Sequence, residues 1–151
     1  MSLIAQKPAV TIRASDSQGA RVVEKRTETS VIENYLQSWK SLRDAFDANQ
    51  PAALDSIFVG VAQEKLVDAV AAQSRLGIRT HYQDLSHDLQ IVFYSPDGLS
   101  IQLIDHVRYR QQVLEKDKAI ADEVVQCRYV VVLTPSDTRW QVRIMQASKE
   151  P

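Results

Sequence analysis

Two residues sit where the surrounding pattern asks for apolar side chains, and both could do acid–base chemistry. Asp105 is in phase with Ile101, Leu103, Val107, Tyr109 and Val113, in a run that alternates from Leu99 to about Leu114. A carboxylate on the apolar face of a strand is costly unless it is hydrogen-bonded, neutral or at the mouth of a pocket. Such a group serves as a general acid or a ligand anchor. The same position also suits a structural ion pair, or a bulge that turns it outward. His87 is in phase with Leu85, Leu89, Ile91 and Phe93 in the preceding run. The turn Ser95-Pro96-Asp97-Gly98 would set His87 and Asp105 on neighbouring strands, and a His–Asp pair facing a cavity is a minimal acid–base device. His81 and His106 join no shared cluster with it, and no His-x-x-x-His spacing occurs, so no metal site is expected. Cys127 is the single cysteine, which excludes an intrachain disulfide and a cysteine zinc site and leaves it as a small buried residue. No cofactor motif is present.

The elements that must position these residues read as helices first and strands after. Ser30 and Glu33 have capping-box spacing, and Val31, Ile32, Tyr35, Leu36, Trp39, Leu42, Arg43 and Phe46 trace one helical stripe. Pro51 suits the first turn of a short second helix carrying Ala53, Leu54, Ile57 and Phe58, which Gly60 breaks. A third helix runs from about Val61 to Leu76, with Gly77 placed to end it in a left-handed conformation. From Ile78 the period changes to two. Strands are predicted over His81–Tyr94, Leu99 to about Leu114, Glu123–Leu133 and Arg139–Ala147, with a polar connection over Glu115–Asp122. The short connections make each of these pairings antiparallel. This is an α+β fold, three N-terminal helices packed in a strongly bent four-stranded sheet. Residues 1–27 read as a linker or loosely docked arm in which Ala9–Arg13 could add an edge strand, and residues 149–151 as a tail.

Composition narrows the partners. The chain has 151 residues, 44% of them hydrophobic, and 18 basic against 19 acidic side chains. That near-balance gives no field to gather nucleic acid. No apolar run reaches the ~20 residues of a membrane span, so no membrane insertion by this segment is expected, and the compartment stays open between the cytoplasm and an extracytoplasmic space reached through an upstream anchor. Tyr129-Val130-Val131-Val132-Leu133 is apolar on both strand faces, so one face needs a cover beyond the helices. A second copy packed sheet to sheet would supply it; the alternative is the Ala9–Ile12 arm folding across. Arg108, Arg110, Arg128 and Arg143 fall on outward phases, as a solvated stripe or a surface for an acidic partner.

The first helix Ile32-Glu33-Asn34-Tyr35-Leu36-Gln37-Ser38-Trp39, the segment ending Ile57-Phe58, and the pair Tyr129–Leu133 with Arg139-Trp140-Gln141-Val142 form a layout that resembles the nuclear transport factor 2-like superfamily, the cone-shaped fold shared with ketosteroid isomerase and polyketide cyclases. The resemblance covers residues 28–148. It implies a bent sheet wrapping the first helix, a pocket at the open end of the cone and frequent homodimers. Tyr35, Trp39, Leu103, Asp105, Tyr109 and Tyr129 would line that pocket. The enzymatic branch uses a tyrosine on the first helix, a carboxylate base after the second, and a strand carboxylic acid held neutral by apolar surroundings. Tyr35 and Asp105 occupy loosely matching elements, but Phe58-Val59-Gly60-Val61-Ala62-Gln63 offers no acid for the base. The expectation is therefore a non-catalytic binding domain, taking a protein partner or a small apolar ligand in its concave pocket. Two alternatives stay open: an acid–base enzyme of isomerase, cyclase or dehydratase type using Asp105 with His87 or Tyr35, and a scaffold or oligomerisation domain of a larger, possibly membrane-anchored protein.

Overall fold

The stripe on the first helix organises the molecule. In the structure, a computed structural model that describes residues 7–15 and 21–149, Val31, Ile32, Tyr35, Trp39, Leu42, Ala45 and Phe46 are all buried along α1, Lys25–Ala48. The helix starts earlier than expected. Its N-cap is Glu24, so Ser30 lies inside the helix and the Ser30–Glu33 capping box does not form. Glu28 in the first turn favours the earlier start, because its carboxylate faces the positive end of the helix dipole and pairs with Lys25 at 3.1 Å. Asn49 closes the helix with a left-handed φ of 53°.

The short second helix is a single 3-10 turn, Pro51–Leu54, with Pro51 in its first positions as expected. Asp55 is extended and Ser56 has φ 68°, so the chain leaves helical geometry before Ile57 and Phe58. These two residues dock on the last strand: Val142 N–H donates to Ile57 O (3.0 Å) and Val59 N–H to Val142 O (2.9 Å). The second true helix, α2, spans Gly60–Arg75, and Gly77 follows it with φ 71°, as the sequence predicts.

The sheet has five strands in the order β1-β2-β3-β4-β5: β1 Ala9–Ile12, β2 Ile78–Tyr94, β3 Ile101–Glu115, β4 Lys118–Pro135 and β5 Trp140–Lys149. Four pair antiparallel in sequence. The fifth corrects the four-stranded, wholly antiparallel expectation, because β1 runs parallel to β2 from Ala9 opposite Ser86 to Ile12 opposite Leu89. Arg13 secures it with a two-pronged contact to Asp88, 2.8 and 2.7 Å. Residues 1–6, 16–20 and 150–151, parts of the expected arm and tail, lie outside the described residues.

The expected polar connection after β3 is also corrected. It is a two-residue turn, Lys116-Asp117, with φ of 48° and 64°, and Glu115 faces Lys118 across it. Two left-handed residues in succession match the twist of a tight hairpin, which lets β4 begin five residues early. α1 packs on both β2 and β5, which stand well apart in the strand order, so the sheet curls around the helix. The result is the bent α+β cone that the sequence predicts.

Candidate functional site

Two bulges in β2 decide what faces the cone interior. Register shifts fall between Asp84 and Ser86 and between Ile91 and Phe93. A bulge inserts one residue and reverses the phase of everything beyond it. Thr80 and Asp84 therefore point inward before the first bulge, His87, Leu89 and Ile91 after it, and Tyr94 after the second. Two expected positions are corrected. Leu85 is only half-buried, and Phe93 is 40% exposed instead of continuing the inner face. β3 has no such shift before Val113, so Ile101, Leu103, Asp105, Val107 and Tyr109 all point inward as expected.

This phasing assembles a continuous polar chain through the interior. Trp39 Nε1 donates to the Tyr35 hydroxyl at 2.9 Å, and that hydroxyl donates to Asp105 Oδ2 at 2.6 Å. The same oxygen faces His87 Nδ1 at 2.7 Å. His87 Nε2 faces Asp84 Oδ2 at 2.7 Å, and Arg43 Nη1 pairs with Asp84 Oδ1. The side chains are sealed: Tyr35 is 0% exposed, His87 1% and Asp105 0%. Asp105 Oδ1 is buried with no hydrogen-bond partner among the described residues.

Both ring nitrogens of His87 meet carboxyl oxygens, an arrangement that favours the doubly protonated imidazolium. Burial works against that charge, but the hydrogen bonds and charges of Asp105 and Asp84 outweigh it and lift the His87 pKa from 6.5 to about 9. Burial also opposes the charge on Asp84; His87 and Arg43 overcome it and hold its pKa below the usual carboxylate value. Tyr35 is pushed well above 10, first by burial and then by the neighbouring charge of Asp105. At neutral pH His87 is therefore held as an imidazolium between the carboxyl groups of Asp84 and Asp105, beside a neutral, donating Tyr35. Pairing with an opposite charge is the condition for tolerating a charge in the core.

The structure thus brings together Asp105, His87 and Tyr35. The other expected pocket residues pack around them. The Trp39 ring lies edge-on to His87 at 5.2 Å and to Tyr129 at 5.7 Å, and tilted against Tyr109 at 5.7 Å. Leu103 is fully buried beside them. Sequence reasoning missed Asp84. Three residues before His87 it belongs to the opposite face of a regular strand, and only the bulge at Leu85 returns it to the interior. Arg43 carried a signal, as the one cation within the apolar stripe of α1. Cys127 is buried, its Sγ 4.0 Å from the Tyr109 hydroxyl. Of the outward arginines, Arg110 is paired with Asp122. Among the described residues no cluster of His, Cys, Asp and Glu is arranged to hold a metal ion.

A curled sheet around one long helix is the cone fold that the sequence leads one to expect, and solved structures share it. The intermembrane-space region of the chloroplast protein ARC6 superposes with a TM-score of 0.72 at 16% identity, over 86% of this chain and 100% of that one. A putative scytalone dehydratase from Novosphingobium aromaticivorans matches with a TM-score of 0.56 at 12% identity, covering 85% and 89% of the two chains. LinA matches with a TM-score of 0.55 at 14% identity, covering 84% and 88%. These identities speak for the fold alone. No protein-family model and no curated protein sequence matches the chain.

Proposed function

We propose that this chain is a non-catalytic binding domain that keeps its acid–base residues as internal structure and meets its partner at the surface. One observation carries this reading: the side chains of Tyr35, His87 and Asp105 are sealed and already engaged with one another. A catalytic acid or base must come within hydrogen-bond reach of its substrate. An imidazolium held by two carboxylates has no lone pair with which to act as a base. The segment Phe58–Gln63, where the cone-fold isomerases carry their base, is engaged with β5 through Val59 and Val142. The likeness to a region of a larger chloroplast protein is compatible with a binding or scaffold domain.

Hydrogen exchange of the two indole N–H groups tests this. Trp39 donates to Tyr35 inside the sealed network, while Trp140 is only half-buried. If the reading holds, Trp39 exchanges only through large-scale unfolding and Trp140 exchanges much faster. Equal, rapid exchange of both would mean an interior open to small molecules, and would sink it.

One atom favours a second reading. Asp105 Oδ1 is buried with unused acceptor capacity, and structures similar to this one include proteins described as a scytalone dehydratase and a dehydrochlorinase. An enzyme of dehydratase or isomerase type would use that oxygen with His87 and Tyr35.

A homodimer is proposed as well. β1 pairs at the β2 edge and so leaves the outward side of β4 to another cover. There Ile104 lies beside Val130, and Val132 beside Ile144, all half-buried on the outer face. Sedimentation at micromolar concentration should show a dimer that Val130→Lys dissociates; a monomer would end the proposal.

A further inference from the structure

We infer that the groove between the β1 arm and α1 binds a small aliphatic carboxylate, held by Arg43. The inference rests on the surface-binding reading above and names its site. The groove has a volume of about 480 Å³, within the roughly 300–1,000 Å³ of small-molecule sites. Pro8 and Val10 form one wall and Leu36 lies on the other, giving a short apolar trough. Lys7, Lys40 and Arg43 rim it, against Glu33 and Asp84, so the lining carries one excess positive charge. Leu36, Lys40 and Arg43 follow at four- and three-residue steps along α1, which sets the apolar wall and the cations on one side of the helix.

Arg43 is the anchor because it is only partly used. A guanidinium has five N–H donors, and among the described residues Arg43 makes one side-chain hydrogen bond, from Nη1 to Asp84. Its side chain is 32% exposed. A ligand carboxylate can therefore take the remaining donors two at a time. Nor does Asp84 depend on Arg43 alone, since His87 holds its other oxygen. Among the described residues Lys40 is occupied only by a surface pair to Asp44 at 3.6 Å, which a better-placed anion can displace. The carboxylate would sit at the Arg43–Lys40 end, with its chain laid toward Leu36 and Val10 and away from Glu33.

Octanoate is a direct probe. Titrated into the intact chain and followed by amide NMR and calorimetry, it should bind saturably with shifts centred on Val10, Leu36, Lys40 and Arg43. Octylammonium, the same chain with the opposite charge, should not shift these residues. Arg43→Gln should weaken octanoate at least about ten-fold. Val10→Asp, on the exposed strand, should do likewise and guards against an Arg43 variant that folds poorly. Absence of saturable binding up to millimolar octanoate, equal binding of octylammonium, or unchanged affinity in both variants would overturn the proposal. Because Trp39 exchange is measured separately, a failed groove with a protected Trp39 removes this site and leaves the binding-domain reading standing.

Discussion

The two ends of one polar chain behave as different materials. At the inner end, Tyr35, His87 and Asp105 are sealed, each held by a neighbour of fixed geometry, and among the described residues one oxygen of Asp105 has no partner. At the outer end, Arg43 is one-third exposed and meets Asp84 at the edge of a groove. Polar partners follow one another along the whole chain, but water reaches only one end of it. Screening makes exposed pairs worth little, whereas a buried charge that loses its partner is expensive. The inner end should therefore govern stability, and the outer end should be free to exchange partners.

Substitutions can break that contrast. The largest effect is expected from His87→Ala, which removes the cation between two carboxylates and strands Asp105 in the core; unfolding by denaturant should show a loss of about 3–5 kcal/mol. A pH series sharpens the same point. The folded His87 pKa, about 9, lies above the unfolded 6.5, so its contribution is fully present below pH 6.5 and is lost as pH rises through 9. The loss is on the order of 3 kcal/mol and should vanish in the His87 variant. Asp84 acts in the opposite sense, because its pKa is depressed on folding. Its contribution is present at neutral pH and disappears as pH falls through and below the ordinary carboxylate value. Tyr35→Phe should cost about 1–3 kcal/mol, since Asp105 loses a donor and the Trp39 N–H its acceptor. At the open end, Arg43→Gln should cost less than His87→Ala, because Arg43 is partly exposed and Asp84 keeps His87. Arg110→Gln, on the outer sheet surface, should leave the denaturation midpoint unmoved. An Arg43 effect as large as that of His87 would erase the distinction between the two ends.

The sequence carried one half of this network better than the other. Asp105 was legible because β3 keeps a strict period of two from Ile101 to Tyr109, so a charge in an apolar phase stands out. The stripe on α1 placed Tyr35 and Trp39 inside for the same reason at period 3.6. Asp84 was illegible because β2 does not keep its period. The bulge near Leu85 has no glycine or proline to announce it, and the second, near Val92, sends Phe93 outward against the pattern. The tight turn at Lys116-Asp117 was hidden similarly: Asp117 tolerates the left-handed region, but Lys116 gives no such signal and no glycine follows. β1 was visible as strand-like, but its parallel partner depends on a long-range contact with Ser86–Leu89 that local pattern does not encode.

The most direct test is the protonation of His87, followed by NMR of the imidazole nitrogens from pH 5 to 10. The account predicts a ring that keeps both N–H protons through neutral pH and titrates near 9. A His87 that titrates at or below 6.5, with one bare nitrogen at pH 7, would contradict it.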